Sequence, residues 1–478
     1  MLETITKQLW INGQWVAADR TYPLHSPYDG KLLAHIAKAS PSDVERAVAG
    51  ANEAFQRMKE LPAHRRADIL YGVVQLMIDK KEELAQICSA EAGKPIRTAR
   101  AEIERTIATY RFSAEEAKRL YGETIPMDAA PGGENRLGFT WREPLGVVTA
   151  ISPFNFPFNL VAHKLGPALA AGNTVVLKPA EQTPLSSLAI AELFHQAGLP
   201  EGALQVVTGS GRELGDALVT DPHVRKITFT GSSAVGRTIK EKAGLRKTTL
   251  ELGSNSALII EPDVPLESIV PRCVEGAFSF AGQVCISLQR IYVHRSVYDE
   301  FCTRFVERTK QLRVGDPADE QTDISAMIHA RETERIEAWI NEAVEAGARI
   351  GCGGKREGAV LLPTVMLDVT PDMSVSCQEA FAPIVSIVPY DNLDEAIELT
   401  NRSAYGLNIG IYTLNIQKAF YAAKQIESGG IIVNDIPTFR VDHMPYGGVK
   451  DSGYGREGIK YAVQEMTELK FVTVKTTF

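Results

Sequence analysis

A cysteine and a glutamate, both capable of covalent or proton-transfer chemistry, lie at the ends of predicted elements. Cys285 follows the small-residue run 280–284 and precedes a predicted strand at 290–294. Glu251 ends a predicted strand at 248–251, just before Gly253. A thiolate attacks carbonyl carbons, and a carboxylate beside it accepts protons. If the fold brings both to one cleft, the pair predicts nucleophilic catalysis on a carbonyl compound.

A third polar side chain, Asn155, lies on a loop that follows a predicted buried strand. Two prolines, Pro153 and Pro157, restrict the path of this loop. The amide NH₂ of Asn155 could donate a hydrogen bond to an oxyanion that develops at a substrate carbonyl. A lone asparagine is also a common turn cap, so the loop alone leaves both interpretations open.

The motif Lys178-Pro179-Ala180-Glu181 follows the next predicted strand. Ligands of parallel sheets bind beyond the carboxyl ends of the strands, so Lys178 and Glu181 could hydrogen-bond ribose hydroxyls. The Glu181 carboxylate would repel a 2′-phosphate, which favours NAD over NADP. A solvated pair of loop residues explains the same motif without a ligand.

Three further turns are candidates for dinucleotide binding. The run 207–215 has glycines at G-x-G-x-x-x-G spacing, one residue longer than the usual fingerprint. Gly231 and Ser232 precede a predicted helix whose N-terminus could hold a pyrophosphate. Glu379 and Phe381 precede a predicted strand and could contact a second ribose and a nicotinamide ring. A capped helix, or a surface glutamate beside a core phenylalanine, explains each turn equally well by itself.

Composition and charge narrow the class of protein. The 478 residues are 44% apolar and 23% charged, with a net charge of −8, which argues against a nucleic-acid partner. The sequence has neither the long uncharged apolar run of a membrane helix nor the N-terminal pattern of a signal peptide. Its six cysteines are scattered without zinc-ligand spacing. These features predict a reduced, cytoplasmic, metal-free protein.

The order of predicted elements indicates the fold class. Helices over 42–118 are followed by a turn-rich stretch at 122–138, and strands then alternate with helices from 146 to 251. A second alternation runs from 257 to about 433. Such spacing predicts an α/β protein with two parallel sheets, each covered by helices. The two domains would meet near residue 252 and form a cleft there.

Taken together and in this order, the motifs resemble the aldehyde dehydrogenase superfamily over essentially the whole chain. The resemblance extends to the branch that acts on lactaldehyde or on small phosphorylated, phosphonated or sulfonated aldehydes. It implies a Rossmann-like cofactor domain at 1–118 and 140–251, and a catalytic domain at 252–434. It also implies an oligomerisation β-arm and C-terminal tail at 119–139 and 435–478. The segments that carry it are 153–157, 178–181, 229–232, 251–253, 282–285, 379–383 and 445–453.

The resemblance also implies roles for the candidate residues. Cys285 would form a thiohemiacetal, Asn155 and the Cys285 backbone N–H would form the oxyanion hole, and Glu251 would activate water. Ser254 stands where the family usually has glycine, which predicts a restricted turn beneath Glu251. NAD, with NADP possible, would be the cofactor of a homodimer or homotetramer. Residues implied in cofactor binding are Ser152, Phe154, Lys178, Glu181, Gly211, Gly231, Ser232, Leu252, Glu379 and Phe381.

Arginines are the candidates for recognising the substrate, because a guanidinium pairs with carboxylates and oxyacids through two hydrogen bonds. Arg105 and Arg440 resemble positions at which related enzymes hold a phosphate or phosphonate. Arg290 and His163 are the other candidates near the expected tunnel, and each arginine could instead form a salt bridge. The predicted substrate is a small aldehyde with an anionic or hydroxylated tail: sulfolactaldehyde, phosphonoacetaldehyde, lactaldehyde, glyceraldehyde-3-phosphate or succinate semialdehyde.

Three alternative functions remain open at this stage. A CoA-acylating semialdehyde dehydrogenase would resolve the thioester with CoA, but Glu251 favours water because only water needs a general base. A non-catalytic structural or binding descendant is disfavoured by the presence of Cys285, Glu251 and Asn155 together. A different fold with a redox cysteine is disfavoured because the sequence has no resolving cysteine nearby.

Overall fold

Strands and helices alternate through two parallel sheets in the computed structural model, which describes residues 5–477. The first sheet has eight strands, and its inner pairs are parallel while its outer strands pair antiparallel. Strand Thr174–Lys178 is buried at every position, as expected for a parallel strand covered on both faces. In spatial order the strands are Gly453–Tyr454, Lys247–Glu251, Val224–Thr230, Val147–Ile151, Thr174–Lys178, Leu204–Val206, Leu9–Ile11 and Gln14–Val16.

Helices pack on both faces of this sheet. The first begins at a capping box, in which the side chains of Ser40 and Asp43 each accept a hydrogen bond from the other residue's backbone N–H. The helices of this half of the chain are Pro41–Glu60, Ala63–Asp79, Lys81–Ala92, Ile96–Ala117, Asn159–Ala170, Pro184–Gln196, Gly211–Thr220 and Ser233–Ala243, with Ile459–Glu465 returning from the C-terminal end.

The second sheet has seven strands and is also mainly parallel. In spatial order they are Arg349–Cys352, Thr364–Leu367, Ile384–Tyr390, Arg290–His294, Ala257–Ile260, Asn408–Tyr412 and Gly430–Val433. Its helices are Leu266–Phe278, Tyr298–Thr309, Ala330–Glu345, Ser374–Cys377, Leu393–Asn401 and Ile416–Gln425. The predicted α/β class with two parallel sheets is confirmed.

A three-stranded antiparallel sheet forms an arm apart from the two large sheets. Strands Arg136–Pro144 and Thr467–Lys475 pair along nine residues each, and Thr124–Ile125 adds a short third strand. The predicted C-terminal tail therefore divides: its last strand belongs to the arm, whereas Gly453–Tyr454 pairs with Lys247–Glu251 in the first sheet. The remaining strands form small sheets: Thr6–Lys7, Leu32–Lys38 and Arg20–His25; Arg356–Glu357 and Val360–Leu361; Tyr405–Gly406 and Val449–Lys450.

The first sheet brings the carboxyl ends of its central strands to one edge. Register pairs Ile151 with Lys178 and Thr230 with Glu251 on adjacent parallel strands. The chain leaves this edge after Glu251 and enters the second sheet at Ala257–Ile260. The predicted domain boundary near residue 252 falls in that crossing, and the domain limits themselves stay a prediction. Over residues 5–477, no helix is long and apolar enough to cross a membrane.

Candidate active site

Backbone geometry presents Cys285 in the turn before strand Arg290–His294 of the second sheet. Helix Leu266–Phe278 ends in a tight turn in which Phe280, Ala281 and Gly282 all have positive φ, at 49°, 52° and 68°. A Cβ at Gly282 would lie 2.0 Å from the Ala382 carbonyl oxygen, so only glycine fits there. The prediction of a helix that ends in a glycine-containing turn before the thiol is confirmed.

The Cys285 thiol is half-buried and contacts the hydroxyl of Tyr446. Its Sγ lies 2.9 Å from the Tyr446 hydroxyl. Burial raises the pKa of Cys285 to about 11, while the Tyr446 hydrogen bond and the Arg440 charge pull that pKa down. The thiol is therefore mostly protonated at neutral pH, and its environment supplies a donor and a cation that favour the thiolate.

Asn155 reaches across from the first sheet to the cysteine segment. Its Nδ2 donates to the backbone carbonyl of Gln283, two residues before the thiol, at 3.0 Å. An amide nitrogen has two N–H groups, so one remains for another acceptor. Asn155 Oδ1 has no hydrogen-bond partner among the described residues. The contact joins the loop at the end of the first sheet to the segment that precedes strand Arg290–His294 of the second sheet.

A buried ion pair holds the Asn155 loop in place. The side chains of Lys94 and Glu102 are both fully buried and form a salt bridge. Lys94 Nζ also donates to the Asn155 carbonyl at 2.7 Å, while Glu102 Oε1 accepts from the backbone N–H groups of Phe158 and Asn159. Since each charge of the pair also bonds the loop backbone, the pair fixes the position of Asn155.

Glu251 lies close enough to Cys285 for its charge to raise the pKa of the thiol, and neither of its carboxyl oxygens has a hydrogen-bond partner within residues 5–477. The residue is 3% exposed. Burial and the nearby Glu457 carboxylate raise the pKa of Glu251 well above its usual value. The free oxygens leave the carboxylate form of Glu251 able to accept a proton from water, and the raised pKa makes that form a stronger base than an exposed glutamate.

Glu457 is a second buried carboxylate in the same region, and it is paired. Lys164 Nζ donates to it at 3.3 Å, and Arg440 Nη2 does so at 3.2 Å. Burial opposes its charge, but these cations outweigh burial and lower the pKa of Glu457 to about 2. The pKa values of the two neighbouring carboxyls therefore shift in opposite directions, since Glu251 is unpaired and Glu457 is paired.

Arg440 connects the thiol region to a further group of charges. Its guanidinium lies 3.7 Å from the centre of the Tyr446 ring, and its side chain is 6% exposed. Arg440 Nη2 lies 3.2 Å from His163 Nε2, which in turn lies 2.9 Å from Asp442 Oδ1. Burial and the Arg440 charge lower the pKa of His163, so this imidazole is neutral.

Asp442 pairs with Arg105, another arginine that the sequence predicts to bind substrate. Arg105 donates to its carboxylate through Nη2 at 2.8 Å and Nε at 3.2 Å, and Asn159 donates at 3.0 Å. Although burial opposes the charge, His163 and Arg105 hold the pKa of Asp442 far below its usual value. We refer to Arg105, His163, Arg440, Asp442 and Glu457 as the arginine cluster. It extends outward from the thiol to Arg105, whose side chain is 33% exposed.

Arg290 is the predicted substrate residue that the structure does not bring to this group. It opens strand Arg290–His294 and is 4% exposed. Its guanidinium donates to the Asn255 carbonyl at 3.0 Å, to the Tyr292 hydroxyl at 2.9 Å and to the Leu399 carbonyl at 3.3 Å. The charge is thus committed to groups inside the second half of the chain, and Arg290 is not part of the arginine cluster.

The predicted ribose-binding pair lies at the carboxyl edge of the first sheet. Lys178 ends its strand, and its Nζ donates to the Pro179 carbonyl at 2.8 Å. Burial lowers the pKa of Lys178 to about 8, and the Glu181 charge counteracts part of that effect. The hydroxyl of Ser152, on the adjacent strand end, is buried without a hydrogen-bond partner among the described residues.

Ser232 and Gly211 occupy the two predicted helix N-termini. Ser232 is the N-cap of Ser233–Ala243, and its exposed hydroxyl makes no capping bond within the described chain. Gly211 begins Gly211–Thr220, where Ser210 caps by accepting from the Arg212 N–H. The Ser232 end therefore has free donors of the kind that bind phosphate.

Glu379 and Phe381 precede strand Ile384–Tyr390 of the second sheet and contact residues beyond the carboxyl edge of the first sheet. Phe381, with φ of 50°, packs edge-to-face against Phe154, with ring centres 5.9 Å apart. Burial raises the pKa of Glu379 to about 7, although it accepts from the Ser254 N–H at 2.8 Å. A Cβ at Gly253 would come 2.5 Å from the Glu379 carboxyl, so the glycine lets that side chain approach.

The turn beneath Glu251 is held by its own side chains. Asn255 Nδ2 donates to the Ser376 carbonyl at 3.1 Å, and its Oδ1 accepts from Ser403 at 2.5 Å. The Ser254 and Ser256 hydroxyls lie 3.1 Å apart. The predicted restriction of the turn has a physical source in these bonds, and its effect on Glu251 stays a prediction. Leu252 is buried, and its side chain packs against Gly236.

Sequence reasoning missed several residues of the site. Lys94, Glu102, Lys164 and Glu457 carry no motif that ties them to Cys285, because their partners are distant in sequence. Tyr446 lies in one of the segments that carried the family resemblance, but it was not assigned a contact with the thiol. A buried lysine on an otherwise apolar helix, such as Lys164 on Asn159–Ala170, is the signal that could have indicated one of them.

The residues at the carboxyl edge suit a dinucleotide. A hydroxyl without a partner at Ser152, free donors at the Ser232 helix end, and a glutamate from each half of the chain provide bonds for phosphate and ribose groups. Within residues 5–477, no group of three histidines, cysteines or carboxylates is arranged to hold a metal ion.

Comparison with known proteins places this site in a family. Residues 15–472 match the aldehyde dehydrogenase family. The 3-sulfolactaldehyde dehydrogenase of Priestia aryabhattai is 50% identical, over 98% of this chain and 97% of that protein. Aldehyde dehydrogenase 21 from Physcomitrella patens, solved with the reaction product succinate, is 39% identical with a TM-score of 0.97, over 99% of each chain.

A further solved structure is informative about the cofactor. The NADP-dependent glyceraldehyde-3-phosphate dehydrogenase from Bacillus halodurans C-125, complexed with NADP, is 38% identical with a TM-score of 0.97. The match covers 99% of this chain and 100% of that one. The chain belongs to the aldehyde dehydrogenase family. It is an NAD(P)-dependent oxidoreductase that acts on aldehydes, which confirms the predicted enzyme class and cofactor.

Proposed function

We propose that this enzyme oxidises a short aldehyde with an anionic or hydroxylated tail to the carboxylic acid through a thioester on Cys285. The observation that carries the proposal is the convergence of Cys285, Asn155 and Glu251 from two sheets on one cleft. The arginine cluster, which leads outward from the thiol, supports the choice of tail.

In the first half of the reaction, Cys285 Sγ bonds to the aldehyde carbon and the thiol proton leaves to water. The carbonyl oxygen gains negative charge, and the free N–H of Asn155 and the Cys285 backbone N–H donate to it. The hydrogen bond from Tyr446 and the charge of Arg440 favour the thiolate that attacks. NAD(P), when bound, supplies the hydride acceptor, and the thioester then remains on Cys285.

In the second half, Glu251 accepts a proton from water, and the hydroxide attacks the thioester carbon. The carbon–sulfur bond breaks, the carboxylic acid forms, and the proton held by Glu251 passes to the Cys285 sulfur, which restores the thiol and the Glu251 carboxylate. The free, buried carboxyl of Glu251 supports this role because it has no competing hydrogen bond to lose. Hydrolysis rather than transfer to CoA follows from the presence of this base.

Contacts at the cofactor edge support the following assignments. Lys178 and Glu181 would bind the adenosine ribose, Ser232 the pyrophosphate and Glu379 the nicotinamide ribose, with Phe381 beside the ring. Ser152, Phe154, Gly211, Gly231 and Leu252 would line the same edge. The carboxylate at Glu181 favours NAD over NADP, since a 2′-phosphate would approach it with like charge.

The exposed surface of the arm supports the proposal that this protein forms an oligomer. The strands of the arm expose large apolar side chains, including Leu137 at 48%, Leu469 at 51% and Phe471 at 49%. Exposed apolar patches of this kind mark protein interfaces, and we propose a homodimer or homotetramer that covers them. All six cysteines are free thiols, which supports a reducing, cytoplasmic location.

The substrate is tested with a panel of neutral and anionic aldehydes and with the variants Arg105→Ala and Arg440→Ala. The panel is sulfolactaldehyde, phosphonoacetaldehyde, lactaldehyde, glyceraldehyde-3-phosphate and succinate semialdehyde. We expect free acid as the product with CoA present or absent, and a loss of kcat/KM in the variants that is larger for anionic tails. Equal losses for neutral and anionic aldehydes would contradict an anion-binding role, and acyl-CoA as the product would contradict hydrolysis.

A further inference from the structure

The arginine cluster contains its own carboxylates, and one of them directly opposes an arginine proposed to bind substrate. Asp442 is 5% exposed, and its carboxylate accepts hydrogen bonds from both Nη2 and Nε of Arg105. Asn159 and His163 occupy further positions around the same carboxylate. Two parallel hydrogen bonds from a guanidinium to a carboxylate form the strong geometry for this pair. The charge of Arg105 is therefore largely cancelled before any substrate arrives.

The other charged groups of the cluster leave a single positive charge uncompensated. Arg440 and Lys164 both bond the same carboxylate, Glu457, so two cations share one anion. His163 contributes no charge because burial and the Arg440 charge lower its pKa. Together with the Arg105–Asp442 pair, these groups carry one net positive charge at neutral pH.

A further cation nearby, Arg456, does not contact the cluster. Its Nη1 donates to the carbonyls of Gly448 at 3.2 Å and Gly455 at 2.8 Å. It approaches the Glu251 side of the cleft, as shown by its effect on the pKa of Glu251. The charge that a substrate tail meets beside Asp442 is therefore the charge of the arginine cluster with Lys164.

We infer that Asp442 is a specificity-determining residue that matches this site to tails with one negative charge, such as a sulfonate or a carboxylate. A phosphonate or phosphate tail, with two negative charges, would leave its second charge beside Asp442 without a partner. An unpaired charge in a buried site costs binding energy that a singly charged tail of the same shape does not lose. The inference rests on the proposed function and narrows its substrate class.

The test compares two aldehydes of nearly identical shape, sulfoacetaldehyde and phosphonoacetaldehyde, with the full-length enzyme and NAD. We expect wild-type kcat/KM to favour the sulfonate by roughly tenfold or more at a pH above the second ionisation of the phosphonate. As the pH falls through that ionisation, the phosphonate becomes a monoanion and the preference should shrink. Asp442→Asn should shift the ratio of the two kcat/KM values toward the phosphonate by about tenfold.

A matched control is Asp435→Asn. Asp435 holds Arg272 through the same two-bond geometry, at 2.9 and 3.2 Å, outside the arginine cluster. Asp435→Asn should leave the ratio of the two kcat/KM values unchanged. It therefore shows whether losing any buried arginine–aspartate pair alters the ratio, or only the loss of charge at Asp442 does. If Asp442→Asn fails to fold, the pH series on the wild type still tests whether the enzyme prefers a tail with one negative charge.

Equal use of the two aldehydes by the wild type at every pH would overturn the inference. So would a ratio that Asp442→Asn does not move. In both cases Cys285-dependent oxidation would still stand, and only the role of Asp442 would fall. If neither aldehyde nor a neutral one such as lactaldehyde were oxidised, the proposed function would fall together with the inference.

Discussion

The side-chain oxygens of the thiol end and those of the arginine cluster differ in how they are paired. Around Cys285, Glu251 and one oxygen of Asn155 are buried and lack hydrogen-bond partners in the described residues. In the arginine cluster, Asp442 accepts from three side chains and Glu457 from two. Unpaired groups can take up a proton or bind a developing charge, whereas paired groups keep a fixed charge. The contrast supports the proposal that one end performs the chemistry and the other recognises the substrate tail.

Removing the nucleophile should cause the largest loss of turnover. It tests whether the chemistry is confined to the thiol end of the site. For Cys285→Ala we expect turnover to fall by roughly 10⁴-fold or more, because no other group at the cleft can form the thioester. Formation of NADH or NADPH with a saturating aldehyde measures it. Cys377→Ala removes an exposed thiol and should behave as wild type. Substantial residual turnover in Cys285→Ala would show that chemistry is not confined to the thiol end.

Replacing the base should block only the second half-reaction. For Glu251→Gln we expect steady-state turnover to fall by about 10²- to 10⁴-fold, because water is no longer deprotonated as it attacks. A burst of one reduced cofactor per site should remain in stopped-flow measurements, since it precedes hydrolysis. The surface variant Glu241→Gln is the control. Loss of the burst itself would place Glu251 in the first half-reaction instead.

Shortening the oxyanion donor should have a somewhat smaller effect. We expect Asn155→Ala to lower kcat by about 10²- to 10³-fold, the usual cost of one such donor. Binding of NAD should be unchanged in a titration, because the substitution leaves the carboxyl edge intact. An equally large change in cofactor affinity would indicate that Asn155 maintains the loop rather than the reaction.

The unpaired state of Glu251 predicts a pH dependence. Burial and Glu457 raise the pKa of Glu251, so the carboxyl is protonated at low pH and cannot act as a base. Steady-state turnover should rise about tenfold per pH unit until the pH reaches that raised pKa, and then level off. Glu251→Gln should abolish this limb of the profile. A profile that persists in the variant would assign the titration to another group.

Tyr446 joins the two ends, and its removal should have the smallest effect. The hydroxyl bonds Cys285, while the ring stacks on Arg440. Because that hydrogen bond lowers the thiol pKa, Tyr446→Phe should raise it. We expect the pH profile of iodoacetamide alkylation to move upward by about one unit, as measured by loss of activity. No movement would mean that Arg440 alone tunes the thiol.

Much of the fold was predictable from local patterns. Buried strands such as Thr174–Lys178 are visible in short stretches of sequence, because the apolar run of a doubly covered strand depends on neighbours in the chain. The arm was predicted, but the return of Gly453–Tyr454 to the first sheet was not, because strand pairing across two hundred residues leaves no local pattern.

The sequence by itself determined which groups are able to react: a thiol after a turn that only glycine can complete, an asparagine between two prolines, and a glutamate at a strand end. Only the tertiary structure decided which of them are paired. Arg105 meets Asp442 across 337 residues, whereas Arg290 bonds groups within the second half of the chain. Charge pairing depends on distances of a few ångströms in the folded chain, and sequence spacing does not contain those distances.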